Sequence, residues 1–173
     1  MVVKNNLMKA VLIFVLLLNS FFLSAQKTNL KIENHWINLT EQDGKLILFY
    51  PCDADIKQII IDAEKNELTM KYGQEDDVFK ILSTNYVSNK ELNFNILYST
   101  FGKPQETTVN VKFIDVDKRI AKWSFTLIDG KTELNNEYLM ISEPKSINYK
   151  IVKQPCRECW TEEDCDSIKK NNK

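Results

Sequence analysis

Histidine and glycine are scarce in this 173-residue chain, which has one histidine and four glycines. The one histidine, His35, lies beside Trp36, and the chain contains no Gly-x-Ser-x-Gly motif. A histidine-based catalytic triad needs an activated nucleophile beside the histidine, and a histidine-rich metal site needs more than one histidine. A phosphate-binding loop needs clustered glycines. We therefore expect a non-enzymatic protein with no cofactor, in which His35 is a strand-end residue.

Concentrated positive charge is also missing. Lys and Arg together number 23, Asp and Glu together number 24, and the isoelectric point is about 5.9. Nucleic-acid binding depends on a basic face, so this balance predicts no nucleic-acid partner. Acidic residues cluster at turns without matching the EF-hand calcium loop, and aspartate is common at turns for its backbone hydrogen bonds. No metal site is predicted from them.

Residues 1–25 have the features of a secretory signal peptide. Two lysines precede the apolar run Ala10–Leu18, which is too short to span a bilayer because a span needs roughly 20 apolar residues. The small residues of Leu23-Ser24-Ala25 precede a plausible cleavage site before Gln26. We expect an exported, soluble protein, periplasmic or secreted, with no membrane span in its mature chain.

The remaining chain, about 150 residues and the length of one domain, consists of short runs in which apolar and polar residues alternate. Every second residue of Leu92–Tyr98 is apolar, and residues 107–116 and 119–128 repeat the pattern. A period of two is typical of half-buried antiparallel strands. Further strands are predicted at His35–Thr40, Lys45–Tyr50, Gln58–Asp62, Leu68–Tyr72, Phe79–Val87, Tyr138–Ser142 and Ile147–Lys153.

Short connections join these strands. Asp43-Gly44 and Asp129-Gly130 predict type I′ hairpin turns, and no gap is long enough for the crossover that parallel strands require. The sequence predicts an all-β, antiparallel, up-and-down meander of about 8–10 strands. We expect residues 26–153 to form a closed or nearly closed barrel, with a β-sandwich as the alternative, followed by a cysteine-rich tail at 154–173.

Two disulfides are predicted from the four cysteines, because an even number in an exported protein indicates oxidised pairs. The alternatives are a zinc site, which usually has paired ligand hooks, and a redox Cys-x-x-Cys pair, which belongs in an α/β unit. A bond between the two nearest cysteines would close a tight ring. We therefore expect the first cysteine to pair with one of the other three and to join the tail to the barrel. The four residues are Cys52, Cys156, Cys159 and Cys165.

An exported meander of this length, with Trp36 in its first strand, the Asp43-Gly44 turn and a tail bonded back to Cys52, resembles the lipocalin-like (calycin) barrels. Where the first-strand Gly-x-Trp motif of that family has glycine, this chain has Asn34. The resemblance implies a barrel that binds a small apolar molecule at its open mouth. In a minority of such proteins the barrel instead serves as an inhibitor or a protein-binding module.

Aromatic residues supply the candidate ligand contacts. The interior of an eight-stranded barrel holds either side chains or one small ligand. Several large inward aromatic residues favour a filled or narrow interior, which weakens the ligand-carrier hypothesis without ending it. Our first hypothesis is a non-catalytic barrel for a small apolar ligand; the second is a protein-binding module such as an exported inhibitor or immunity-type protein. For the second, Trp160 is either an anchor for the tail or a partner contact. The candidate ligand residues are Phe94, Phe113, Trp123 and Phe125.

Overall fold

The computed structural model describes residues 30–52, 54–73, 75–99, 104–129, 132–159 and Cys165. The chain divides between Leu30 and Lys31 into two units, and the second of these is described below. The predicted signal peptide, Gly130 of the second predicted turn, and Trp160 lie outside the described residues. The signal peptide and the domain boundaries drawn from the sequence stay predictions.

Eleven strands make up most of the described chain. They are β1 (His35–Asn38), β2 (Thr40–Gln42), β3 (Lys45–Tyr50), β4 (Asp55–Asp62), β5 (Glu67–Gly73), β6 (Glu75–Ser88), β7 (Glu91–Tyr98), β8 (Gln105–Asp115), β9 (Ile120–Asp129), β10 (Thr132–Ser142) and β11 (Ile151–Lys153).

Eight of these strands close into an antiparallel barrel. From β4 to β10 each strand pairs with the next one in the sequence, and β1 lies between β10 and β4 to complete the circle. The predicted antiparallel meander and closed barrel are confirmed, and the sandwich alternative is wrong. The architecture is compatible with a lipocalin-like barrel.

The alternation of apolar residues places one face of each strand inside the barrel. Strand β7 shows this at every position, because Leu92, Phe94, Ile96 and Tyr98 are buried and the residues between them are only half-buried. The same period runs through β8, where Val109, Val111 and Phe113 are buried. These residues form strands because a pleated backbone gives their side chains a common interior.

The turn between β2 and β3 has the predicted chemistry. Asp43 and Gly44 have φ values of 52° and 69°, which are the positive values that a type I′ turn requires at both central positions. Gln42 and Lys45 pair directly across the hairpin. The prediction of a hairpin at Asp43-Gly44 is confirmed.

The first predicted strand, His35–Thr40, is broken at Leu39 into β1 and β2. The chain leaves the barrel at this point, where the backbone N–H of Leu39 still donates to the carbonyl of Leu139 at 2.7 Å. Strand β10 also differs, because it begins at Thr132 and not at Tyr138. The hydrophobic pattern alone does not mark either change, since both depend on pairing with distant strands.

The predicted strand Ile147–Lys153 is wrong in its first half. A short helix, α1 (Glu143–Ser146), ends just before it, residues 147–150 form a turn, and only Ile151–Lys153 are extended. Pro144 stands at the start of α1, where the absence of its N–H leaves no helical hydrogen bond unmade. No helix in the described part of the chain is long and apolar enough to cross a membrane.

Strand β11 pairs in parallel with β3, which contradicts the expectation of an entirely antiparallel fold. Ile151 lies opposite Leu48, and Lys153 lies opposite Tyr50. The crossover between these two strands is the whole barrel from β4 to β10. The parallel pairing therefore leaves no long unstructured gap in the sequence that would mark it.

The three-stranded sheet of β2, β3 and β11 accompanies a second apolar cluster on the outside of the barrel. Ile37 and Ile141 alternate with inward-facing neighbours on β1 and β10, yet both are buried. They belong to one cluster with Leu48 of β3 and Ile56 of β4. Burial on both faces fixes the register of β1, because a slip by one residue would exchange the two apolar sets.

Both disulfides form, and they join the tail to the body of the protein. Cys52 is bonded to Cys159, Cys156 is bonded to Cys165, and none of the four cysteines is free. The prediction that Cys52 pairs with a tail cysteine is confirmed, and the structure supplies the connectivity. The zinc and redox alternatives are wrong, because Cys156 and Cys159 are each bonded to a different partner.

The two disulfides should differ in their contribution to stability. Cys52–Cys159 spans a sequence separation of 107 residues and Cys156–Cys165 one of 9. By loop-closure entropy, removing the first should lower the free energy of unfolding by about 5 kcal/mol and removing the second by about 2.5 kcal/mol. Urea unfolding of the two paired Cys→Ala double variants measures the difference. Equal losses, or a larger loss for Cys156–Cys165, would contradict this assignment.

Candidate functional site

Aromatic rings fill the middle of the barrel. Trp36 of β1 and Trp123 of β9 meet edge to face with ring centroids 5.5 Å apart. Trp123 also stacks on Phe94 of β7 at 6.0 Å, and Trp36 meets Phe113 of β8 at 5.6 Å. Such offset and edge-to-face contacts stabilise a core beyond the area that they bury.

The four predicted ligand residues belong to this core. Phe94, Phe113, Trp123 and Phe125 are 2%, 3%, 0% and 1% exposed. The first three contact other interior rings, whereas Phe125 also lines a cavity. Sequence analysis therefore identified inward-facing residues, but it did not distinguish those that pack together from the one that borders a cavity.

This cavity, which we call the cup, lies near the barrel end that carries the β5–β6 connection. Its volume is about 260 Å³. Buried side chains form its apolar bottom, half-buried tyrosines its sides, and charged or polar side chains its outer part. In that order the lining residues are Met70, Phe79 and Phe125; Tyr72 and Tyr138; and Lys57, Asp77 and Asn136.

The cup is open where β1 leaves the barrel. Pairing of β1 with β4 ends at Gln58, and its pairing with β10 ends at Asn38 opposite Met140. The next inward-facing residues of the two neighbouring strands are Lys57 and Tyr138. The Nζ of Lys57 lies 3.9 Å from the centroid of the Tyr138 ring, so this contact spans the place that a longer β1 would occupy.

Lys57 places a positive charge at the mouth of the cup. Its ammonium lies against the Tyr138 ring and 5.9 Å from the centroid of the Tyr72 ring, and cations are attracted to such ring faces. Partial burial lowers the pKa of Lys57 below its ordinary value, because removal from water disfavours the charged form.

Tyr72 and Asp77 form the polar pair on the other side of the cup. The hydroxyl of Tyr72 donates to Oδ2 of Asp77 at 2.6 Å. This hydrogen bond, with burial and the negative charge of Asp77, raises the pKa of Tyr72 to about 12. Burial, followed by the charge of Asp77, also raises the pKa of Tyr138. Both tyrosines are therefore protonated donors over the physiological pH range.

Arg119 covers the opposite end of the interior. Its guanidinium lies 4.7 Å from the centroid of the Phe113 ring and bonds to the Glu33 carboxylate and to the carbonyl of Lys31. The indole N–H of Trp36 donates to the carbonyl of Glu33 at 2.8 Å. Sequence analysis missed Arg119, because its partners lie more than 80 residues away and no local motif marks it.

His35 lies outside the barrel interior. It alternates with the inward-facing Trp36 and bonds through Nε2 to the side-chain oxygen of Gln58 at 2.7 Å. Within the described residues, no three His, Cys, Asp or Glu side chains come together in a way that could hold a metal ion. The groups that the cup offers to a bound molecule are aromatic rings, one ammonium and one carboxylate.

The described residues also line cavities outside the barrel, of which two are compared with the cup. One, of about 400 Å³, is lined by Asp117, Lys118, Lys145, Asn148 and Tyr149. The other, of about 370 Å³, borders Cys52 and Cys156 beside the tail. Among the described residues, the lining of each includes one aromatic side chain, whereas that of the cup includes four. Ligand sites are mostly apolar and aromatic with a few convergent polar groups, which favours the cup.

Comparison of the chain with protein-family models, with curated proteins and with solved structures finds no match.

The pairing of Tyr72 with Asp77 makes a testable prediction. In Asp77→Asn the negative charge is lost, so the pKa of Tyr72 should fall from about 12 toward its ordinary value of 10.0. In the native protein, stabilisation by protonated Tyr72 is fully present below about pH 10 and is lost as the pH rises toward 12. NMR titration of the tyrosine ring carbons measures both the native and the variant pKa.

Asp76→Asn is the matched control, since Asp76 is the neighbouring carboxylate and pairs with Lys71 on the outer face. It should leave the pKa of Tyr72 unchanged. An equal fall in both variants, or in neither, would show that Asp77 does not cause the shift.

Proposed function

We propose that this protein is a non-catalytic binding protein whose cup holds one small ligand with an apolar body. The observation that carries the proposal is the contrast between the filled middle of the barrel and the aromatic-lined cavity at one end. Its volume of about 260 Å³ lies just below the roughly 300–1,000 Å³ of sites for drug-sized molecules. The ligand is therefore smaller than those molecules.

The proposal moves the ligand from the position expected from the sequence. Of the four predicted contacts, Phe125 remains in the site, while Phe94, Phe113 and Trp123 pack against other rings in the middle of the barrel. Binding at the mouth of a closed eight-stranded barrel agrees with the lipocalin-like resemblance. The lipocalin-like assignment is part of the proposal and is supported by strand number and order.

Export from the cytoplasm is the second part of the proposal. Its structural support is the presence of two disulfides, since such bonds persist in oxidising compartments. The signal-peptide features of residues 1–25 support the same location, periplasmic or secreted. Cleavage before Gln26 belongs to this proposal.

A protein partner is the second candidate function, and one feature of β6 favours it. Strand β5 begins at Glu67, opposite Lys80, and among the described residues β6 pairs only with β7 from Ser83 onward. Exposed apolar side chains lie just before this free edge, at Leu82, and along it, at Tyr86 and Val87. An extended segment of another protein could add to such an edge, as an inhibitor or immunity-type function requires.

Native mass spectrometry of the purified protein and a titration with the neutral dye Prodan test the cup. We expect a copurified small molecule or saturable binding of one dye per chain. Asn136→Trp should weaken dye binding roughly tenfold or more, about 1.4 kcal/mol, because the indole would enter the mouth of the cup. Asn135→Trp is the matched control, since Asn135 faces outward on the same strand and bonds to Thr126.

Equal dye affinities for Asn136→Trp and Asn135→Trp would contradict the proposal that the cup is the binding site. A copurified protein in place of a small molecule, lost in Leu82→Lys but kept in Asn136→Trp, would favour the second candidate.

A further inference from the structure

Among the described residues, the charge at the mouth of the cup lacks an anionic partner. No carboxylate oxygen of the described residues lies within 4.0 Å of Lys57 Nζ. Asp77, which lines the same cavity, accepts the hydroxyl of Tyr72 and does not pair with Lys57. Within the described part of the chain, the contacts of this half-buried ammonium are the ring faces of Tyr72 and Tyr138.

Four lysines on the outer surface are paired with carboxylates of the described residues, whereas Lys57 is not. In each of these pairs the lysine Nζ lies 2.6–3.4 Å from a carboxylate oxygen. The pairs are Lys65 with Asp62, Lys71 with Asp76, Lys118 with Asp115, and Lys122 with Glu137. These pairs are exposed and contribute little to stability. A partly desolvated charge gains more from a counter-ion than an exposed one does, so the lysine at the cup is the one for which an anion matters most.

The surroundings of Lys57 indicate how such an anion would be held. Asn136 at the outer part of the cup has an amide N–H₂ group, and the hydroxyl of Tyr138 stays protonated, so both offer donors beside the ammonium. Carboxylates form strong, charge-assisted hydrogen bonds with such a group of donors. The apolar part of the same ligand would contact Phe79 and Phe125.

The depth of the cup limits the shape of the apolar part. The ring centroids of Phe79 and Phe125 are 6.0 Å apart, and Trp123 stacks on Phe94 in the interior. A long acyl chain would have to displace these rings, and closely packed interiors resist such displacement. A flat ring system can lie on Phe79 and Phe125 without entering the stack.

We propose that the cup binds a small aromatic carboxylate, with Lys57 as the counter-ion and Phe79 and Phe125 as the stacking surface. The inference deepens the proposed function and rests on it, because it names the chemical class of the ligand. It excludes long-chain fatty acids from the same site.

Calorimetry of the purified protein with three probes tests this inference. The probes are 2-naphthoate, its neutral isostere 2-naphthamide, and dodecanoate, which has the same charge on a long chain. We expect 2-naphthoate to bind roughly tenfold or more tightly than 2-naphthamide, since a hydrogen bond to a charged group exceeds a neutral one. Dodecanoate should bind much more weakly than 2-naphthoate.

Three variants assign the effect to the charge of Lys57. Lys57→Met should lower the affinity for 2-naphthoate to that for 2-naphthamide and leave the latter unchanged. Lys57→Arg should keep the preference for the anion. Lys80→Met is the matched control, because Lys80 is exposed on the outer face of β6, and it should change neither affinity. Unfolding curves of the variants show whether each is folded.

Equal binding of 2-naphthoate and 2-naphthamide to the native protein overturns the inference while leaving the cup as a ligand site. Preference for the anion that survives in Lys57→Met, or tight binding of dodecanoate, also overturns it. If neither naphthalene probe binds, the inference is overturned, and the native mass spectrum and Prodan titration decide the proposed function separately.

Discussion

The width of an eight-stranded barrel is the constraint on which this structure depends. Such an interior has room for packed side chains or for one small ligand. Here Trp36, Phe94, Phe113 and Trp123 occupy it in contact with one another. Strand β1 brings Trp36 to the centre and also closes the circle between β4 and β10. The same short strand thus completes the barrel and fills it.

The position of the cup follows from the length of β1. Because this strand ends at Asn38, its two neighbours continue past it, and Lys57 and Tyr138 meet across the space. The outward turn of the chain then supplies β2 and β3, and β3 adds Leu48 to the second apolar cluster and pairs with the tail strand β11. One break in a strand therefore links the cup, the outer sheet and the disulfide-bonded tail.

The sequence was sufficient for the parts of the fold that depend on local periodicity and turn chemistry. The period of two in β7 and β8 and the Asp43-Gly44 turn predicted the meander, and the cysteine content predicted the oxidised tail. The pairing of β11 with β3 was beyond this reasoning, because the two strands are separated by most of the chain. The break at Leu39 depends on contacts with β10 in the same way.

The cup was less predictable than the barrel. Its polar and tyrosine lining comes from four strands, of which β10 is distant in the sequence from the other three. No sequence spacing connects these residues, which are Lys57 on β4, Tyr72 on β5, Asp77 on β6 and Tyr138 on β10. Phe125 was identified because it faces inward, but the same criterion selects Phe94 and Trp123. An inward-facing residue lines the cup or packs in the core according to its distance from the barrel end. That distance depends on the register of all eight strands.

Aromatic-ring NMR of the protein saturated with a bound probe tests most directly whether the interior is filled and the cup is the binding site. The account predicts shift changes at the rings of Tyr72, Phe79, Phe125 and Tyr138, with the rings of Phe94 and Phe113 unchanged. Changes of similar size at Phe94 and Phe113 would show that the probe enters the middle of the barrel, and they would contradict the account.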